Sequence, residues 1–330
     1  MSITLKKIAE ALGLNVSTVS RALKNHQDIS DYTKRRVQEV AKQLKYEPNV
    51  YAIKLRTNKS KILGVMVPHI SNLFYDSFIQ AVEEEGKKAG YTLLILQSSE
   101  DTNSELENLD TLKKNKVDGI LVSLSLNTTD TAPFLDLHNS GIPIIFFDRV
   151  PNNDRCIKVC FDDENIGILA AKALIKKQKQ YILAIFWGND AVHLSNKRLL
   201  GFKETFAKTA SKTVLDIRYH QNAEDAKTIT LQAFQQGNPY DAIFCTGDSA
   251  LIGTMHALTE KGIKIPDEIA VISISNGLIP TLYNPSITYI ETSGYNLGKM
   301  SFLRILDYWA GDTTINEILV NALLIEKCSL

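Results

Sequence analysis

No apolar run in this 330-residue chain approaches the ~18 residues that a membrane-spanning helix needs. The opening stretch MSITLKKIAE has no long apolar core of the secretory kind, so a cytoplasmic protein away from the membrane is expected. Cysteine is scarce: the four, Cys156, Cys160, Cys245 and Cys328, fit neither a disulfide framework nor a Cys-x2-Cys zinc site. Histidines 69, 138, 193, 220 and 256 are scattered without metal-ligand spacing. No P-loop, Gly-x-Gly-x-x-Gly or Gly-x-Ser-x-Gly elbow follows any apolar run. These absences argue against an enzyme, and no cofactor or metal is expected.

Net charge is also absent, but only in total. Residues 1–60 hold 12 basic and five acidic side chains, a net +7, and the remaining 270 residues balance it at −7. A basic head on a mildly acidic body points to a polyanion partner at one end. The chain is 44% apolar and 22% charged, an ordinary composition for a large core, and its length suggests two or three domains.

Within the head, Leu5, Ile8, Ala9 and Leu12 recur at helical spacing. Thr4 suits the N-cap, and Gly13 suits a C-terminal position with positive φ. Asn15 is placed to cap a second helix with apolar Val16, Val19 and Leu23, leaving Ser17, Thr18, Ser20 and Arg21 near the surface. Two short helices joined by a glycine-containing turn form a helix-turn-helix. Small hydroxylated residues allow close approach to a DNA groove, and arginine can bond guanine bidentately. Ser30 is placed to cap a third helix with Val37, Val40, Ala41 and Leu44 inward. Lys34, Arg35 and Arg36 crowd its first turn, which the helix dipole disfavours unless a phosphate compensates.

Thr4-Leu5-Lys6-Lys7-Ile8-Ala9, then Gly13-Leu14-Asn15-Val16-Ser17-Thr18-Val19-Ser20-Arg21-Ala22-Leu23, resembles the head of the lactose-repressor (LacI/GalR) family. Tyr46-Glu47-Pro48-Asn49-x-x-Ala52-x-x-Leu55 is similar to the hinge of that family. The resemblance implies double-stranded operator DNA as partner, with contacts from Thr4, Leu5, Val16, Ser17, Ser20, Arg21, Ser30, Thr33, Asn49, Ala52 and Leu55. It makes Leu55 an apolar wedge in the minor groove. Residues 49–56 are too few for a stable isolated helix, so the hinge is expected to order only on DNA.

From Ile62 onward short apolar runs alternate with helical stretches: Ile62–Val67, Thr92–Leu96, Gly119–Val122 and Ile142–Phe147, then Tyr181–Phe186, Val214–Ile217, Ala242–Cys245 and Ile269–Ile274. Such runs suit strands buried on both faces of parallel, doubly wound sheets in an α/β fold. The reading is a helix-turn-helix domain at 1–46, a hinge and linker at 47–60, and an effector-binding and dimerisation core at 61–330. This stretch resembles the periplasmic-binding-protein-like core of the same family over essentially its full length. That resemblance implies an N-lobe of about 61–157 and 291–315, and a C-lobe of about 160–288 and 318–330. It places chain crossings near 157–161, 288–292 and 312–318.

The same resemblance implies a small, sugar-like effector, a carbohydrate or sugar acid, held between the lobes by Phe74, Tyr75, Asp148, Trp187, Arg198, Asp248, Ser275, Asn276 and Thr292. Arg198 lies in Arg-Leu-Leu-Gly-Phe, matching the family's R-x-x-G-F. Asp248 can equally cap a helix, and Trp187 can equally pack at a lobe edge. Asp162-Asp163-Glu164 reads as an acidic helix start. Ser275, Gly247 and Thr292 stand where many members have aspartate, asparagine and glutamine, so the effector is expected to be held differently from the best-known sugar repressors. No leucine heptad follows the core, so a homodimer is expected rather than a coiled-coil-joined tetramer.

Overall fold

The computed structural model describes residues 4–46, 59–188, 193–209 and 213–330. Contacts divide the chain into two units, Met1–Ser60 and Lys61–Leu330. The hinge candidates Asn49, Ala52 and Leu55 lie outside the described residues.

In the first unit α1 (Leu5–Leu12), α2 (Val16–Leu23) and α3 (Asp31–Gln43) enclose a small core of Ile8, Ala9, Val19, Ala22, Val37 and Ala41. Gly13 takes the left-handed conformation (φ 64°) that ends α1 and lets the chain turn into α2. Capping is less even than expected. Ser30 accepts the Thr33 amide, but Thr4 and Asn15 hold extended N-cap backbones without a side-chain cap bond. Val16, expected on the apolar stripe, is instead 44% exposed at the start of α2.

The second unit has two α/β lobes. The N-lobe sheet runs in the order β11-β5-β4-β3-β1-β2, built from β1 (Ile62–Val67), β2 (Thr92–Gln97), β3 (Gly119–Val122), β4 (Ile144–Phe147), β5 (Ile157–Phe161) and β11 (Glu317–Val320). The C-lobe sheet runs β12-β10-β9-β8-β6-β7, from β6 (Tyr181–Trp187), β7 (Val214–His220), β8 (Ala242–Cys245), β9 (Ala270–Ser275), β10 (Thr288–Glu291) and β12 (Leu323–Ile325). Both contain the same 2-1-3-4-5 arrangement of parallel strands, the doubly wound topology in which ligands meet the carboxyl ends of the strands. Among the described strands only β12 is antiparallel to its neighbour, and it closes one sheet edge.

Helices cover both faces of each sheet: α4 (Leu73–Lys88), α5 (Thr102–Lys114), α6 (Ala132–Asn139) and α12 (Gly294–Trp309) on the N-lobe. The C-lobe carries α7 (Asp163–Lys176), α8 (His193–Ala207), α9 (Ala223–Gln235), α10 (Asp248–Lys261) and the short α11 (Leu278–Thr281). Strand cores such as Leu63, Val65, Ile145, Phe147, Ile182, Phe186, Phe244 and Ile272 are fully buried, which is why they read as continuous apolar runs.

Three expectations shift. The run Ile142–Phe147 pairs only from Ile144, since Pro143 has no amide to donate and offers its carbonyl to Ile120 instead. Residues 157–161, expected as a crossing, form β5 within the N-lobe sheet, and the chain crosses between Phe161 and Asp163. The last crossing, expected near 312–318, lies between Val320 and Leu323, because Glu317–Val320 pairs in parallel with β5. The middle one falls between Glu291 and Gly294.

Candidate functional site

In the first unit α2 buries Val19 and Ala22 and turns Ser17 and Arg21 outward, with Thr18 and Ser20 half-buried. The face left free is small and hydroxylated with one guanidinium, a shape that enters a major groove and can bond guanine. Leu5, predicted at the DNA, packs against the head core. Ser30 and Thr33 are hydrogen-bonded to one another (Oγ to Oγ1, 2.9 Å) at the start of α3, and Lys34 pairs with Asp31 (3.4 Å). Asp31 thus offsets part of the positive charge crowding that turn. Arg36 lies over the Tyr32 ring, and Arg35 is exposed.

In the second unit the strand ends face one another across the lobe junction. Tyr75, near the start of α4, is buried, and its hydroxyl donates to Asp148 Oδ2 (2.8 Å) and lies 3.1 Å from Ser123 Oγ. Burial, reinforced by the nearby Asp148 charge, holds that hydroxyl far above its ordinary pKa, so it stays a donor. Asp148, directly after β4, adopts a left-handed backbone (φ 55°), which aspartate tolerates better than bulky residues. Burial raises its carboxyl above the usual range, against the pull of Arg149.

Arg149 was not singled out from sequence. Its Nη1 donates to Glu100 Oε1 at 2.6 Å, and its guanidinium lies 4.7 Å from the centroid of the Trp187 ring. Because Trp187 ends β6 in the other lobe, this cation–π contact spans the cleft. Phe74 sits edge-on to Tyr75 (5.3 Å) and 6.3 Å from Phe161, giving the junction an aromatic wall.

Arg198 Nε donates to Asp163 Oδ1 at 2.8 Å, and both side chains are almost fully buried. Asp163 was read only as part of an acidic helix start. That start is present, with Asp162 capping the helix by accepting the Asn165 amide and Asp163 and Glu164 in the first turn, but Asp163 has the Arg198 pairing in addition. Desolvation, offset by Arg198, leaves the Asp163 carboxyl pushed up to about 6. The glycine of the Arg-Leu-Leu-Gly-Phe stretch explains how the pair is reached. A Cβ on Gly201 would lie 2.1 Å from the Glu164 carbonyl, and one on Gly167 2.0 Å from the Arg198 carbonyl. Only glycine at both points lets α7 and α8 approach closely enough for Arg198 to meet Asp163.

Asp248 is the first residue of α10, not its cap; Gly247 holds that position. Its carboxylate accepts the Ser275 hydroxyl at 2.5 Å, tying the ends of β8 and β9 together. Thr292 is buried, with Oγ1 3.5 Å from the Ser275 carbonyl. Asn276, expected to touch effector, is engaged by the protein itself. Its amide donates to the Leu73 carbonyl (3.2 Å) and Ser77 Oγ (3.1 Å), and its oxygen accepts the Gly294 amide (2.8 Å). Tyr75, Asp148 and Ser123 therefore form one cluster, Asp248, Ser275 and Thr292 a second, and Arg198 with Asp163 a third. Among the described residues no group of three or more potential metal ligands occurs, and no helix is long and apolar enough to cross a membrane.

Residues 4–49 match the family described as bacterial regulatory proteins, lacI family, and residues 63–312 match the periplasmic binding protein domain. The chain belongs to the LacI family. The HTH-type transcriptional repressor PurR of Vibrio atlanticus is 28% identical over 306 residues, covering 92% of this chain and 91% of that protein. Catabolite control protein A of Staphylococcus aureus is 29% identical over 320 residues, covering 96% and 95%. A Lac repressor dimer bound to operator and the anti-inducer ONPF superposes with a TM-score of 0.87 at 20% identity, over 100% of this chain and 99% of that one. A LacI-type regulator from Alkaliphilus metalliredigens complexed with D-xylulofuranose gives 0.70 at 26% identity, over 82% and 99%. The expected α/β fold with a helical head and two parallel-sheet lobes is thus the fold observed. This LacI-family chain is a DNA-binding bacterial regulator with a periplasmic-binding-protein-like core.

Proposed function

We propose that the protein is a cytoplasmic repressor that binds an inverted-repeat operator as a homodimer and is switched by a small neutral carbohydrate between its lobes. The observation that carries the DNA half is the outward face of α2, Ser17 and Arg21, over a buried Val19 and Ala22. Two-fold pairing of such heads calls for two half-sites related by inversion. Support for pairing comes from apolar side chains left exposed at the start of α4 (Ile70, Leu73) and around α11 (Leu278, Leu282), which Asn276 brings side by side. The lac repressor structure described as an operator-bound dimer fits the same reading.

The effector half rests on how charge is spent in the cleft. Both guanidiniums, Arg149 and Arg198, are already paired with Glu100 and Asp163. Among the described residues, other polar groups there, such as the Tyr75 hydroxyl, Asp148, Asp248 and Ser275, suit hydroxyl partners rather than an anion. The carbohydrate-or-sugar-acid expectation therefore narrows to the neutral class. The Alkaliphilus regulator's D-xylulofuranose is a ligand of that kind.

Arg21→Ala is expected to weaken binding to an operator selected from a random DNA pool by tenfold or more, since a bidentate guanine contact is worth about 1–3 kcal/mol. Fluorescence anisotropy reads this directly, with Leu55→Ala as companion for the hinge. Undiminished specific affinity in both variants sinks the DNA reading. For the effector, a thermal-shift screen should stabilise the core with neutral pentoses or hexoses, by about 2.7 kcal/mol at 100 times Kd. Stabilisation confined to sugar phosphates or uronic acids would reverse the assignment.

A further inference from the structure

The chain crosses between the lobes from β5, β10 and β11. β5 and β11 are neighbours at one edge of the N-lobe sheet, and β10 lies with β12 at one edge of the C-lobe sheet. All three crossings therefore run along the same side of the cleft. The opposite sheet edges, β2 and β7, carry no crossing, so the mouth of the cleft is on that side. The polar groups that face a ligand come from inner strands. Tyr75 follows β1, Ser123 follows β3 and Asp148 follows β4, while Asp248 follows β8 and Ser275 ends β9.

At the mouth the two lobes are bridged. Glu100 lies beyond the end of the edge strand β2, and Trp187 ends β6 beside the edge strand β7. Arg149 reaches both, with Nη1 2.6 Å from Glu100 Oε1 and the guanidinium 4.7 Å from the indole centroid. Each member is held from behind. Glu100 Oε2 accepts the Leu126 amide at 2.9 Å, and His69 Nε2 lies 3.8 Å from Oε1. The Arg149 carbonyl accepts the Leu124 amide at 3.2 Å. Trp187 is paired with His220 in the sheet. Ser99 and Glu100 both adopt left-handed backbone (φ 55° and 61°), which persists in non-glycine residues where the surroundings over-determine it. Arginine suits this place because its planar fork can engage a carboxylate while its face stacks on an aromatic ring. The Arg149 and Glu100 side chains are mostly buried, which strengthens a cation–π contact.

Resting on the carbohydrate reading above, we propose that the Glu100–Arg149–Trp187 bridge is a bar across the mouth that limits the effector to a single sugar ring. A ring engaged by the Tyr75–Asp148 and Asp248–Ser275 clusters has the chain crossings on one side and the bar on the other. A monosaccharide enters while the lobes are apart and displaces nothing once the bar re-forms. A second ring, joined by a glycosidic bond and directed out of the mouth, has to push the guanidinium off the indole and forfeit that contact. Arg149 and Trp187 are thus specificity-determining residues: they act on the length of the ligand, whereas the inner clusters act on its hydroxyls.

The test uses the full chain and isothermal titration calorimetry. The probes are D-ribose, D-xylose, D-glucose and D-galactose, with xylobiose, cellobiose, maltose and lactose as two-ring counterparts. The unmodified chain is expected to prefer a monosaccharide to its two-ring counterpart by about tenfold or more. Trp187→Ala should narrow that preference by about fivefold or more. Trp187→Phe, which keeps an aromatic face for the guanidinium, should retain most of it. Arg149→Gln cuts the same bar from the N-lobe side and replaces Trp187→Ala should the latter fail to fold. The bar itself is read without any ligand by hydroxyl-radical footprinting, with oxidation at residue 187 followed by mass spectrometry. Arg149→Gln should raise oxidation of Trp187. A disaccharide bound as tightly as its component monosaccharide, or a preference unchanged in Trp187→Ala and Arg149→Gln, overturns the ring limit and leaves the carbohydrate reading standing. A chain that binds none of the eight sugars overturns the carbohydrate reading instead, and the footprint then decides the bar: unchanged oxidation of Trp187 in Arg149→Gln overturns it.

Discussion

Arg198→Ala is expected to cost the core about 3–5 kcal/mol, the penalty for removing one partner of a buried ion pair. The pair is nearly dry, with side-chain exposures of 12% for Arg198 and 7% for Asp163. Deleting the guanidinium leaves the Asp163 carboxylate with no comparable counter-charge, and its pKa, already about 6, rises further. The pH dependence has a definite sign. A carboxyl whose folded pKa is raised binds its proton more tightly in the native state than in the unfolded one. The stability this brings is present below pH 4 and is lost as pH climbs through the folded value. The deficit of the variant should thus be largest at pH 7 and shrink as pH falls below about 6. Denaturant melts at pH 5 and pH 7.5 read both terms. A loss under about 1 kcal/mol at pH 7.5, or a loss that grows in acid, would show that the pair is effectively solvated.

Gly201→Val should be at least as damaging. The added Cβ alone would lie 2.1 Å from the Glu164 carbonyl, and that obstacle is backbone in the first turn of another helix. Relief requires α8 to move off α7, which opens the packing around Phe202, Phe206, Ile166 and Ala170. Overpacking that displaces a helix belongs among the most severe single changes, above about 4 kcal/mol. Soluble yield and the thermal midpoint measure it, with Gly201→Ala as the milder member of the series. A valine variant that melts within a degree or two of the parent would mean that the two helices separate cheaply.

Much of the architecture could be read from residues alone, for a physical reason. Doubly buried strands must be apolar throughout, so runs such as Gly119–Val122 and Ala242–Cys245 announce themselves. Helix α2 was legible because burying Val19 dictates which side chains remain outside. The last crossing was not, since Glu317–Val320 and Leu323–Ile325 are short, half-exposed edge strands. Nothing in their composition says which lobe each joins. The cleft was half legible. Positions such as Tyr75 and Asp148 follow strand ends and were found together, but the groups that engage Arg198 and Arg149 come from 35 and 49 residues away. No local pattern encodes such pairings. Asn276 shows the same limit: an amide beside a strand end looks like a ligand contact until the helix starts that it holds are seen.

The molecule carries only two indoles, and they sit at opposite ends of the N-lobe's reach: Trp187 under the Arg149 guanidinium, Trp309 in the stack with Tyr91. One fluorophore therefore sits at the lobe junction and the other at the end of the N-lobe where the chain enters the core. Replacing either with phenylalanine leaves a single-colour probe of the other location, so events at the two ends can be timed separately in the same protein without any attached dye.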